Sequence, residues 1–358
     1  MRPKEYRIKE LLREKGLDGA IVSSPENFHY VTGFGGHQHT VSRQPGFTLA
    51  VMRADDKVPT HLTTMDFEAA TFRIKATGLN FVVDPYDTWV GLKTWDEIAH
   101  GAVVPDKTAM ESSMDKLIQF MKACDLANKK VGIELDYLPV PYYKSLTEKF
   151  PEAEFVDISD LFVYARSVKQ PDEIEMFRKL CRIADHGFTE VSKIAKIGVS
   201  ERELAQCFRE DVIKSGFCAP SAWSMFSTGP SSARLTLPGD GVVKDGDVVK
   251  FDAGVNAEFD FYTTDTSRAW IIGNGDPVLL KLKDRLYEGQ RRMIAGAKPG
   301  LPINELYHTA YDYVKEMFPC YRRGHQGHSI SMGPATAEAP YINASETRPL
   351  EAGMILAM

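Results

Sequence analysis

The sequence predicts an α/β (α+β) protein built from two domains, and three observations carry that prediction. Strand and helix signals alternate throughout residues 1–160. The pattern shifts near Asp160, where a long helical stretch opens at Pro171. The second half also echoes itself: AKIGVSEREL at 195–204 and AKPGLPINEL at 297–306 share the pattern AKxGxxxxEL at an offset of 102. The expected division is therefore 1–160 and 161–358, and 358 residues suit two domains better than one core.

Taken in order, residues 5–16 read as an amphipathic helix, and GLDGAIVSS as a buried strand because AIV is continuous and apolar. PENFHYVTGFGGHQHTVSRQPG reads as a turn-rich connection. GFTLAVMRADD and THLTT are further strands and MDFEAATFRIKATG is a helix. The alternation continues through LNFVVDP, TWDEIAHGA, DKLIQFMKACDLANKK, KVGIELD, YYKSLTEKF and AEFVDIS, as expected for a mostly parallel or mixed sheet. Pro171 then takes the first position of a long helix, with Asp172 and Glu173 in its first turn. Ile174, Phe177, Leu180, Cys181 and Ala184 follow helical spacing. In the first copy of the echo, Ser200 and Glu203 have capping-box spacing. Two copies facing each other would leave a cleft between them, where a site belongs.

Composition excludes several functions. The net charge is −6 and no Lys/Arg run stands out, which argues against nucleic acid and anionic membranes as partners. No apolar stretch approaches the roughly 20 residues needed to span a bilayer. The N-terminus lacks the apolar core of a signal peptide. Five cysteines, scattered and without CxxC spacing, fit reduced thiols in a cytoplasmic protein.

Two stretches carry chemistry. Gly246 to Ile272 reads as two strands, VVKFDAG and FYTTDTSRAWII, each with one Asp where an apolar residue is expected. Alternation puts Phe261, Thr263, Asp265, Ser267 and Ala269 on one face. If Asp252 faces them, two carboxylates meet on one surface and repel unless a proton or a cation lies between them. Hard carboxylate oxygens suit Mn, Mg, Ca or Zn; turn-capping aspartates are the plainer alternative. Residues 322–342, RRGHQGHSISMGPATAEAPYI, place His325 and His328 among small residues, with Glu338 ten residues beyond His328. Neutral imidazole is a common metal ligand. A third pair, His37 and His39, forms an HxH that fits either a separate metal site or a loop.

Together these motifs resemble the creatinase/prolidase/aminopeptidase P family of M24 metallopeptidases. KFDAG…TTDTSRAW is similar to the family's DxG…SDxTRT, RGHQGHSIS to its GHGIG segment, AEAPYI to HExPYI, and EAGMILAM to xxGMVLTIEP. GLDGAIVSSPENFHYVTGF resembles the N-terminal domain's GLDALLVTxPxNIRYLTGF, and SVKQPDEIEMFRKLCRIAD its linker helix. The resemblance covers nearly the whole chain. It implies a creatinase-like N-terminal α/β domain and a C-terminal pita-bread domain with an internal pseudo-two-fold repeat. It also implies two divalent ions (Mn, Co, Fe or Zn) activating a water for attack on an amide carbonyl. By motif, Asp252, Asp265 and His328 correspond to metal ligands, and the Asp252–Asp265 spacing is two residues longer than usual. The Glu of GMVLTIEP would fall directly after Met358, so the domain is expected to be truncated before its last ligands, and occupancy of this chain is in doubt. Thr236 and the Ala335/Thr336 region stand where two substrate histidines occur. His325 is the candidate for touching substrate, Glu338 is either a supporting acid or a turn carboxylate, and Arg268 is expected to pair with an acid behind the site.

The implied function is Xaa-Pro dipeptidase-like cleavage of a small peptide or amide by a cytoplasmic homodimer, with the loop at His37–His39 lining a partner's pocket. The alternatives are a non-peptidase reaction of the creatinase, ectoine hydrolase or dimethylsulfoniopropionate lyase kind, or a binding module without catalysis.

Overall fold

The structure, a computed structural model, describes residues 3–88, 94–101, 112–257, 260–333 and 337–358. The chain forms two compact units, Met1–Ala165 and Arg166–Met358.

The first unit opens with α1 (Pro3–Glu14), β1 (Gly19–Val22) and α2 (Pro25–Thr32). It continues through β2 (Leu49–Arg53), β3 (Thr60–Thr63), α3 (Ala69–Ala76) and β4 (Phe81–Val83). Then follow α4 (Trp95–Ala99), α5 (Ser113–Ala123), β5 (Lys130–Ile133), α6 (Val140–Lys149), β6 (Glu154–Asp157) and α7 (Ser159–Ser167). The strands make one mixed sheet in the order β4-β3-β2-β1-β5-β6. β1 is central and wholly buried, which explains its unbroken apolar run. Leu117, Phe120 and Met121 of α5 pack with Ile21, Val51, Val131 and Ile133 of the sheet.

One expectation fails here. Residues 25–46 are not merely a turn-rich connection, because 25–32 form α2 and Gln38–Ser42 a short π-helix. The helix signals were present: Ser24 caps by accepting from the Asn27 amide, Pro25 stands at the first turn, and Gly33 ends the helix at φ 75°. The HxH pair is also split. His37 is exposed while His39 is fully buried with Nε2 on the Ser23 carbonyl at 2.9 Å, so the two rings do not form a chelate.

The second unit begins with α8 (Pro171–Ile194) and α9 (Glu201–Lys214), followed by β7 (Cys218–Pro220), β8 (Met225–Thr228), β9 (Val248–Ala253), β10 (Val255–Ala257) and β11 (Thr266–Ile271). It is completed by α10 (Pro277–Gly296), α11 (Ile303–Met317), β12 (His328–Ser329), β13 (Glu338–Tyr341) and β14 (Leu356–Ala357). β9 lies between β8 and β11, and β12 between β13 and β14, all antiparallel. Phe188 of α8 and Phe208 of α9 stack against Phe226 and Phe251 at centroid distances of 5.0–6.3 Å.

The echoed sequences occupy equivalent places. Each joins a helix pair through a glycine at positive φ, Gly198 at 92° and Gly300 at 89°. The Gly198 amide bonds the Val243 carbonyl and Val243 bonds back to Val199; the Gly300 amide bonds Leu350, which bonds back to Leu301. Positive φ explains why glycine recurs at that point of the pattern. The repeat is thus a repeat of structure, with two α/β halves inside this unit.

Candidate active site

β9 alternates strictly. Val249, Phe251 and Ala253 are buried in the core, while Val248, Lys250 and Asp252 turn to the other side. Ser267 of β11 lies directly opposite Asp252, Ala269 opposite Lys250 and Ile271 opposite Val248, so these residues share the Asp252 face. Arg268 points the other way, pairing with Asp185 at 2.7 Å and lying over the Phe188 ring, which places it behind the carboxylate face as expected.

The second strand starts later than the sequence suggests. β11 begins at Thr266; before it, Thr263 bridges to Asn256 and Tyr262 to Met332. Phe261 sits at φ 63°, a left-handed conformation that breaks the alternation expected from Phe261 onward. The chain therefore leaves β10 and runs alongside residues 331–332 before joining β11. The Thr263 amide donates to the Ser331 carbonyl, and the Gly333 amide to Phe261. This detour carries Asp265 to His328. The connection between Asp252 and Asp265 includes residues 258–259, which lie outside the described residues, as do Ala335 and Thr336.

His328 Nε2 stands 3.1 Å from Asp265 Oδ2, with both side chains largely buried. His328 Nδ1 meets the Ser329 carbonyl at 3.0 Å. A carbonyl can only accept, so Nδ1 holds a proton and Nε2 presents its other face to the carboxylate. In neutral imidazole that puts a lone pair against an anion, and a proton or a cation must occupy the contact. Burial opposes charge on His328, but the Asp265 hydrogen bond, the Ser329 carbonyl and the Asp265 and Asp252 charges together raise its pKa. Asp252 is raised as well, by burial first and then by the Asp265 charge, with Lys250, Arg323 and His328 opposing. The three expected metal-ligating residues thus form one electrostatic unit, in which Asp265 and His328 touch and Asp252 acts on both through its charge. Among the described residues, no group of three or more His, Cys, Asp or Glu is gathered closely enough to hold a metal by itself. The donor chemistry, two carboxylates and an imidazole whose other nitrogen is engaged by a carbonyl, suits a divalent ion.

Two glycines permit this approach. A Cβ on Gly254 would lie 2.2 Å from the Thr264 carbonyl, and one on Gly327 would lie 2.1 Å from that of Ala357. His325 is half-buried, its ring 5.9 Å from His328 and 5.7 Å from Tyr341. Burial foremost, then Arg323 and His328, pushes its pKa down. Glu338 does not face the two histidines as a free acid; its Oε1 accepts from Arg166 Nη2 at 2.7 Å. Thr236 lies in a loop with its hydroxyl on the Leu237 carbonyl. A cleft of about 450 Å³ opens on the Asp252 face between the two halves, bounded by Ser267 and Ile271, by Leu286 and Met293 of α10, and by Arg323.

The sequence did not single out Arg166, Lys169 or Tyr262, and it marked Glu173 only as a first-turn acid. The available signal was the density of charge in RSVKQPDE, which the helix-start reading absorbed as capping.

The Creatinase/Prolidase N-terminal domain model matches residues 6–168, and the Metallopeptidase family M24 model matches residues 175–358. The uncharacterized peptidase YqhT of Bacillus subtilis is 24% identical over 355 residues, 98% of this chain and 88% of its own. The fold is similar to that of an Xaa-Pro dipeptidase from Bacillus anthracis (TM-score 0.79, 23% identity, covering 99% of this chain and 88% of that one). It is also similar to the N-terminal domain of the FACT complex subunit SPT16 from chickpea (TM-score 0.70, 16% identity, covering 99% and 85%). With half of its residues matched by the family's own model and most of the remainder by its N-terminal companion, the chain belongs to metallopeptidase family M24.

Proposed function

We propose that this chain is a metal-dependent hydrolase that cleaves the amide bond of a small peptide, with Xaa-Pro dipeptides as the first substrates to try. The observation that carries this reading is the Asp265–His328 contact, in which a carboxylate oxygen and an imidazole nitrogen face each other across a gap that a proton or a cation must fill. Asp252, Asp265 and His328 would hold it. A divalent ion (Mn, Co, Fe or Zn) supplies Lewis-acid polarisation of a carbonyl and acidifies water when bound. The chain's own residues do the rest. The Ser329 carbonyl fixes the tautomer of His328, and Asp252 and Asp265 supply negative charge. His325, held toward its neutral form, is a candidate to accept a hydrogen bond or a proton from substrate. The bacterial dipeptidase likeness supports the substrate class by analogy of fold. We further propose a cytoplasmic homodimer.

A second reading has one observation in its favour. Thr236, with its hydroxyl turned to the Leu237 carbonyl, offers no imidazole where the resemblance places one, which suits a non-peptidase reaction on an amide or amidine.

The test is metal analysis of the purified protein after chelation and reloading, alongside hydrolysis of Gly-Pro and Ala-Pro by the wild type and Asp265→Asn. Metal uptake and hydrolysis, both lost in the variant, support the peptidase. Metal uptake without dipeptide hydrolysis favours the second reading, and absence of any metal uptake sinks both.

A further inference from the structure

We infer that the segment Arg166–Glu173, RSVKQPDE, is a positioning clamp that sets the Asp265 and His328 strands against each other. This rests on the proposed metal-holding role of those two residues. Four buried charged groups make the clamp. Arg166 donates to Glu338 at 2.7 Å, with side chains only 7% and 10% exposed. Glu338 is the register partner of Ser329, the residue after His328. Lys169, 4% exposed, donates to Ser329 Oγ at 3.3 Å and to the Ser167 carbonyl at 3.2 Å, and its amide donates to Gly353 on the approach to β14. Glu173, 1% exposed, accepts from the Tyr262 hydroxyl at 2.8 Å. Tyr262 lies three residues before Asp265 and bridges to Met332. Eight consecutive residues therefore grip β12, its partner β13, the approach to β14 and the leg that delivers Asp265.

Burying two cations and two carboxylates is a poor way to gain stability, because desolvation consumes most of the Coulomb gain. What such a set does provide is register: the Arg166–Glu338, Lys169–Ser329 and Glu173–Tyr262 contacts are made together in this alignment of the strands. Register matters here because His328 and Ser329 straddle an irregularity in the β12–β13 pairing. A slip of one residue would turn His328 away from Asp265. Among the described residues, the two strand segments meet through the Thr263–Ser331 and Gly333–Phe261 backbone bonds. Side chains must then fix what the ladder leaves loose. Glu338 is accordingly a positioning residue, acting through Arg166 and through its strand pairing with Ser329.

The test uses the full chain with Co(II) as the probe. Glu338→Gln, Tyr262→Phe and Ser329→Ala each keep Asp252, Asp265 and His328. Loss of a supporting contact around a ligand lowers metal affinity ~10–100-fold in general. We expect a fall of about tenfold or more in Co(II) affinity, with a change in the visible Co(II) bands. Arg166→Lys should restore the wild-type bands that Arg166→Met loses. In metal-free protein, the His328 imidazole NMR signals should lose the signature of the Asp265 hydrogen bond. Folded variants with wild-type Co(II) affinity and an unchanged imidazole signal would overturn the clamp. If Glu338→Gln does not fold, Ser329→Ala, which removes one oxygen, decides. If wild type itself takes no Co(II), the metal reading fails, and the imidazole signal alone decides the clamp.

Discussion

His39 makes a sharp prediction about acid stability. The ring is fully buried, edge-on to Phe28 at 5.6 Å, with Nε2–H donated to the Ser23 carbonyl. Its other nitrogen, Nδ1, has no hydrogen-bond partner among the described residues. A second proton would thus be added to a buried nitrogen with no partner among the described residues. Burial lowers the pKa from 6.5 to about 4, outweighing the Ser23 carbonyl and Glu26. Between those values the unfolded chain binds a proton that the folded chain refuses, so stability falls as pH drops. The contribution is fully present above pH 6.5 and gone below about 4. At 1.36 kcal/mol per pKa unit, the drop is about 3 kcal/mol. Urea unfolding of wild type and His39→Gln between pH 7.5 and 4 measures it, because other titrating groups cancel in the difference. The wild-type free energy should fall more steeply than the variant's by about 3 kcal/mol over the window. Parallel curves would refute the reasoning and would mean that His39 is protonated inside the fold.

Other outcomes follow from the site and the core. Because the Asp265 and Asp252 charges and the Asp265 and Ser329 contacts outweigh burial and make His328 hold its proton more tightly than a free imidazole, metal must displace that proton, so affinity falls with falling pH, approaching tenfold per pH unit for the one proton displaced; calorimetric titration with Mn(II) at pH 8 and pH 6 checks this. Gly254→Ala forces a methyl to within 2.2 Å of the Thr264 carbonyl and should cost about 1–3 kcal/mol in thermal unfolding while weakening metal uptake. Phe251→Ala empties the centre of the cluster formed by Phe188, Phe226 and Trp270 and should cost ~3–5 kcal/mol in urea unfolding.

The sequence alone determined the alternating first half, the start of α8 at Pro171 and the internal repeat, and it singled out Asp252, Asp265 and His328 as candidates. These are local properties: apolar runs, capping residues, glycines needed at positive φ, and acids where a strand expects apolar side chains. Residues 25–46 went astray because glycines and histidines masked a capped helix whose signals were legible at Ser24, Pro25 and Gly33. The tertiary structure decided what depends on distant segments meeting. Only the fold shows that Phe261 turns out of the strand, that the Ser329 carbonyl takes His328 Nδ1, and that His37 and His39 face different surroundings. It also reveals the partners of Glu338 and Glu173. A carboxylate's role depends on which cation or hydroxyl reaches it, and Glu338 meets Arg166 across 172 positions of sequence, a distance over which periodicity and capping carry no information.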